Sequence, residues 1–130
     1  MCIRDRTLIQ FDYDLDKGPV SGPKTVLDLT SIGMPDGISI DSEDNLYICH
    51  WSKKISVWDK DLKLSNMLIT PVENVCCGGF GGADMDTFFI GTASYGCCES
   101  NWKSNLGAGG IFCAGSSIRG VADNYYRIHI

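Results

Sequence analysis

One short motif in this chain holds a carboxylate in the way that metal and acid–base chemistry require: Pro35-Asp36-Gly37. Proline fixes its own φ at about −65° and pushes the residue before it, here Met34, towards extended backbone. Gly37 removes the neighbouring side chain, so the Asp36 carboxylate stands on stiff backbone with open space beside it. Oxygen donors of this kind suit hard divalent cations, and a carboxylate can also accept a proton from water. An Asp in such a setting can equally cap a turn. The motif alone leaves both readings open.

Other candidates carry less. His50 lies between Cys49 and Trp51 in a strand-like run and reads as a core histidine with one satisfied nitrogen. Asp12-Tyr13-Asp14-Leu15-Asp16-Lys17-Gly18 sets carboxylates at alternate positions like an EF-hand loop. Its glycine comes one place late, however, and Pro23 stands where a bidentate Glu belongs, so it reads as a strand running into a polar turn. Gly78-Gly79-Phe80-Gly81-Gly82 has Asp84 where the third glycine of a dinucleotide fingerprint would fall, and it reads as a tight strand exit. No Gly-x-Ser-x-Gly elbow occurs, so a serine hydrolase has no support. Seven cysteines include the adjacent pairs Cys76-Cys77 and Cys97-Cys98. Neighbours on a strand point to opposite faces, which argues against a four-thiolate zinc site and for buried or half-buried thiols. Such thiols suit a reducing compartment, and a cytoplasmic location is expected.

These residues must be positioned by strands. Thr7 to Tyr13, Thr25 to Leu29, Gly37 to Ile40, Asn45 to Trp51, Ile55 to Trp58, Met67 to Thr70, Thr87 to Ala93 and Gly110 to Cys113 are short and β-rich. Clusters of Asp, Asn, Gly and Pro separate them. No long window has a helical apolar stripe, and only Tyr95 to Leu106 leaves room for a short helix. The class is all-β. The unit of strand, polar turn and strand that opens at Pro35 returns at Val75, a period of about 40 residues that matches one blade of a β-propeller. Leu46 and Ile48 give one face of a strand, while Tyr47, Cys49 and Trp51 give the other, as a blade between two neighbours demands. A small sandwich with coincidental spacing is the alternative. A closed propeller needs four to eight blades, and 130 residues hold about three, so the ring cannot close within this chain.

The net charge of −5 with scattered basic residues argues against a nucleic-acid partner. No apolar run reaches the roughly 20 residues of a membrane span. Met1-Cys2-Ile3-Arg4-Asp5-Arg6 resembles an artefactual leader of open reading frames from environmental assemblies. Residues 1–6 are therefore set aside, residues 7–130 are read as the domain, and the true start is expected upstream.

From Ile9 to Val121 the chain resembles the regucalcin (senescence marker protein) and gluconolactonase family. The resemblance rests on Phe11 to Gly18, Gly33-Met34-Pro35-Asp36-Gly37-Ile38, Asp41 with Asn45-Leu46-Tyr47, Phe80 to Thr87, Ala108 to Phe112, and Ile118-Arg119-Gly120-Val121. Their order follows the family's C-terminal half. The resemblance implies a six-bladed propeller with one divalent cation (calcium, zinc or manganese) in its channel, opening sugar lactones such as gluconolactone. Of the family's Glu, Asn and Asp ligands only the Asp maps here, onto Asp36, as metal ligand and as general base. The other ligands and the sugar contacts are expected in the missing N-terminal half, so this chain alone is expected to be inactive. Cys76 and Cys77 replace small hydroxylic residues common in the family, and substrate-binding residues are not assigned. A non-catalytic calcium- or carbohydrate-binding scaffold of the same shape is the alternative function.

Overall fold

A computed structural model describes residues 5–95 and 106–124. Within them the structure is all strand and turn, with no helix. The strands are β1 (Thr7–Gln10), β2 (Tyr13–Asp14), β3 (Gly18–Pro19), β4 (Lys24–Asp28), β5 (Pro35–Ile40), β6 (Leu46–His50), β7 (Lys54–Trp58), β8 (Leu64–Ile69), β9 (Val75–Gly81), β10 (Thr87–Thr92) and β11 (Ile111–Gly115).

One four-stranded antiparallel sheet, β5-β6-β7-β8, is a complete blade. A second sheet, β9-β10-β11, repeats its first three strands, and Val75 opens β9 40 residues after Pro35 opens β5. The two-stranded β1–β4 sheet packs on the other side of the complete blade. The described residues thus form one whole blade with parts of two more, and the ring is open. The small β2–β3 hairpin occupies the stretch that resembles an EF-hand loop. There Asp14 Oδ1 accepts hydrogen bonds from the backbone N–H groups of Asp16 (3.0 Å) and Lys17 (2.9 Å), which makes it a capped turn.

The alternation read along β6 sorts side chains onto two cores. Ile48 and Leu46 face Leu8, Leu29 and Trp58, together with Val26, Leu27 and Ile32. Tyr47 and Cys49 face the next blade, packing with Ile55, Val57, Val75, Phe88 and Ile90. In that second core the rings of Tyr47, Phe80 and Phe88 meet in a triangle, with centroids 4.8 to 5.2 Å apart. Offset and edge-to-face contacts of this kind add about 0.5–1.5 kcal/mol per pair beyond burial.

The glycine run is not a strand exit. Gly78 and Gly79 lie inside β9, and a Cβ on Gly78 would stand 2.5 Å from the ring of Phe88. Glycine is needed there because the ring of β10 fills the space. The exit turn falls at Gly82, whose φ of 89° favours glycine. After β11 the chain crosses back to the complete blade, where Ser42 N–H donates to the Arg119 carbonyl (2.8 Å) and Asp41 bridges to Gly120.

Candidate functional site

Asp36 is the second residue of β5 and is half-buried. The bulge in the β5–β6 pairing falls between Pro35 and Ile38, where proline's missing N–H interrupts the ladder. Innermost strands β5 and β9 run against each other beside it. The approach is close enough that a Cβ on Gly37 would lie 2.6 Å from the Cys76 carbonyl oxygen and 2.7 Å from Cys77 Cα. Glycine therefore serves here for backbone contact, which the motif's spacing could not reveal.

Four of the described carboxylates cap turns. Asp14, Asp28, Asp41 and Asp59 each accept backbone N–H bonds of 2.9 to 3.0 Å from residues shortly after them, which makes them turn caps. Asp41 is the most committed: it is fully buried, and also receives both Asn45 Nδ2 and the Tyr47 hydroxyl. Burial and the Asp41 charge push the Tyr47 phenol up to about 12. Asp36 makes no such bond and no ion pair among the described residues, and partial burial raises its pKa. The turn-capping reading of Asp36 has no hydrogen bond behind it.

Two thiols, Cys49 and Cys76, feel this carboxylate electrostatically. Burial pushes Cys49 up to about 12, with Cys77, Asp36 and Cys76 adding to it, and burial with the Asp36 charge raises Cys76. Cys49, Cys76, Cys77 and Cys113 are free thiols. Cys76 donates to the Asn74 carbonyl (3.2 Å). The pair Cys97-Cys98 lies outside the described residues, as does most of Tyr95 to Leu106. No group of three His, Cys, Asp or Glu able to hold a metal stands together among the described residues. Asp36 is a fitting oxygen donor for a divalent cation, being half-buried and without a hydrogen bond or ion pair among the described residues. It supplies one ligand of a set.

His50 is fully buried, with Nε2 and Ser56 Oγ 2.7 Å apart, and Ser56 Oγ also accepts the Trp58 indole N–H (2.8 Å). Its Nδ1 lies against the Gly33 backbone without a hydrogen bond of good geometry. Burial lowers its pKa. This is the core histidine that its strand position suggests.

One cavity of 580 Å3 lies between the two blades near the β5–β6 turn, and another of 460 Å3 runs along β5 and β9 to residues 121–124. Neither is lined by Asp36. Three residues that no motif announces gather at the Asp36 end: Trp51 after β6, Asn74 before β9 and Tyr95 after β10. The rings of Trp51 and Tyr95 stand 6.5 Å apart at 55°. Contacts between loops distant in sequence leave no periodicity to read.

Comparison with known proteins gives a consistent picture. The SMP-30/Gluconolactonase/LRE-like region matches residues 4–94. A pentonolactonase of Haloferax volcanii is 30% identical over 90 residues, covering 68% of this chain and 31% of that protein. The regucalcin of Gallus gallus is 31% identical over 118 residues, covering 85% of this chain and 38% of its own length. The chain thus spans less than half the length of these curated relatives. The crystal structure of a calcium-binding protein, regucalcin, from Agrobacterium tumefaciens superposes with a TM-score of 0.89 at 22% identity, covering 97% of this chain and 44% of that one. That likeness establishes the fold as part of a β-propeller.

Proposed function

Since this chain belongs to the SMP-30/gluconolactonase/LRE-like family, we propose that it is the C-terminal part of a six-bladed propeller that hydrolyses sugar lactones. In this reading a divalent cation sits in the channel, with Asp36 as one of its ligands and the remaining ligands come from upstream blades. The observation that carries it is Asp36 itself, the half-buried carboxylate without a hydrogen bond or ion pair among the described residues. A bound cation would supply polarisation of the lactone carbonyl and a more acidic water.

The chain's own residues do the rest. Pro35 and Gly37 hold Asp36 at the start of an innermost strand, and the tight β5–β9 contact at Gly37 keeps that strand from shifting. In the same reading the Asp36 carboxylate also serves as the general base that takes a proton from the attacking water. The sugar lactone substrate is supported by the pentonolactonase relative. The metal is supported by the calcium-binding structural neighbour, with zinc and manganese as the other candidates.

The test uses the full-length protein, with gluconolactone opening followed by acid release in the presence of calcium, zinc or manganese. Asp36→Asn is expected to lose at least about a hundredfold in cation-stimulated turnover, in the range for removing a general base. Unchanged stimulated turnover in Asp36→Asn overturns the assignment. Cation binding without any turnover would favour the non-catalytic scaffold.

A further inference from the structure

The rim at the Asp36 end is tied together across four segments. Trp51 N–H donates to the Met34 carbonyl (2.8 Å), two residues before Asp36. Val75 N–H reaches the Ser52 carbonyl (3.2 Å), and Ala93 N–H reaches the Asn74 carbonyl (2.9 Å). These bonds join the start of β5, the β6–β7 turn, the start of β9 and the exit of β10 into one surface.

Asn74 is the clasp. It is buried, it adopts a left-handed φ of 59°, and its Nδ2 donates to the Tyr95 carbonyl at 2.7 Å. A buried amide in a strained backbone is thus committed to fixing the position of a residue that is itself 81% exposed. Tyr95 leans towards the half-buried indole of Trp51, whereas Tyr47, Phe80 and Phe88 are absorbed into the core triangle. The exposed Tyr95 ring and the half-buried Trp51 ring stand together on the rim that Met34, two residues before Asp36, also joins, and they form an amphipathic surface there. Their faces carry negative charge density and attract the polarised C–H groups of a polyhydroxylated ring, while the phenol hydroxyl can bond its hydroxyls. Ligand sites commonly pair such rings with a few polar groups.

We propose that Trp51 and Tyr95 form a stacking platform for the sugar ring, so that they set preference for sugar lactones over unsubstituted ones. The proposal rests on the lactonase reading for the identity of the ring, but it is tested by binding that needs no turnover.

The probe is gluconolactam, whose ring nitrogen prevents opening, titrated calorimetrically into the full-length, cation-loaded protein. Tyr95→Ser is expected to weaken its binding about five- to tenfold, the loss of one aromatic stacking contact. Trp51→Phe, which keeps a ring, should stay within about twofold of the parent, because the stacking face survives. In turnover, Tyr95→Ser should raise KM for gluconolactone and leave kcat and the KM for δ-valerolactone unchanged. Absence of gluconolactam binding to the parent, or equal binding by parent and Tyr95→Ser, overturns the platform. An equal rise in KM for both lactones would also overturn it, since that marks a merely structural role. Failure of the parent to open any lactone counts against the lactonase reading, and leaves the binding comparison to decide the platform.

Discussion

At the scale of single residues, the chain separates its polar groups by what neighbouring backbone asks of them. Asp41 has its acceptor capacity taken up by Glu43, Asn45 and Tyr47, which makes it a structural residue despite its burial. Asp36 has no such commitments among the described residues. His50 shows a third outcome, a buried ring whose neutral form the core favours. Because its folded pKa lies below the ordinary 6.5, the unfolded chain binds that proton more readily. Stability from this group is therefore full above pH 6.5 and falls as pH drops below it. Urea unfolding of the full-length protein between pH 7.5 and 5.5 should show this decline, and His50→Gln should flatten it. A slope unchanged by the substitution would mean that other groups set the acid limit.

At the scale of elements, the contact between innermost strands is the feature on which the geometry turns. β5 and β9 touch through Gly37, with the Cys76 carbonyl and Cys77 Cα where a side chain would begin. Backbone atoms cannot rotate away as a flexible side chain can. Gly37→Ala should cost about 1–3 kcal/mol, the range for forcing a methyl group into a packed interior. Thermal or chemical unfolding reads this directly. The same variant should weaken cation binding, because a displaced β5 carries Asp36 with it. Retention of parental stability would show that the strands separate more easily than their contact suggests.

At the scale of the whole molecule, the described residues leave two apolar faces open. Ile38 and Ile40 stand opposite Ile48 and Leu46 on β6, yet both are exposed, because the two strands β1 and β4 cover only the outer part of that blade face. At the other end Phe89 and Ile111 are exposed on the outer face of the β9-β10-β11 sheet. Further blades on each side would cover both. The 130-residue chain produced alone should bind a hydrophobic dye and self-associate, whereas a form with both faces covered by further blades should do neither. Dye fluorescence and light scattering of the two forms check this. A monomeric, dye-silent chain would mean that its faces need no neighbours.

The amino-acid sequence by itself determined the class, the period and the sorting of faces. Alternation along Leu46 to His50 and the return of the Pro35 unit at Val75 are local properties, set by the two-residue repeat of a strand and by one blade's length. It also singled out Asp36, because Pro and Gly act on the backbone next to them. What only the tertiary structure decided depends on segments meeting in space: the role of Gly37 and Gly78 as points of close approach, and the assembly of Met34, Trp51, Asn74 and Tyr95 into one rim. Single-residue signals cannot encode such meetings, since the energy that fixes them belongs to pairs of residues far apart along the chain.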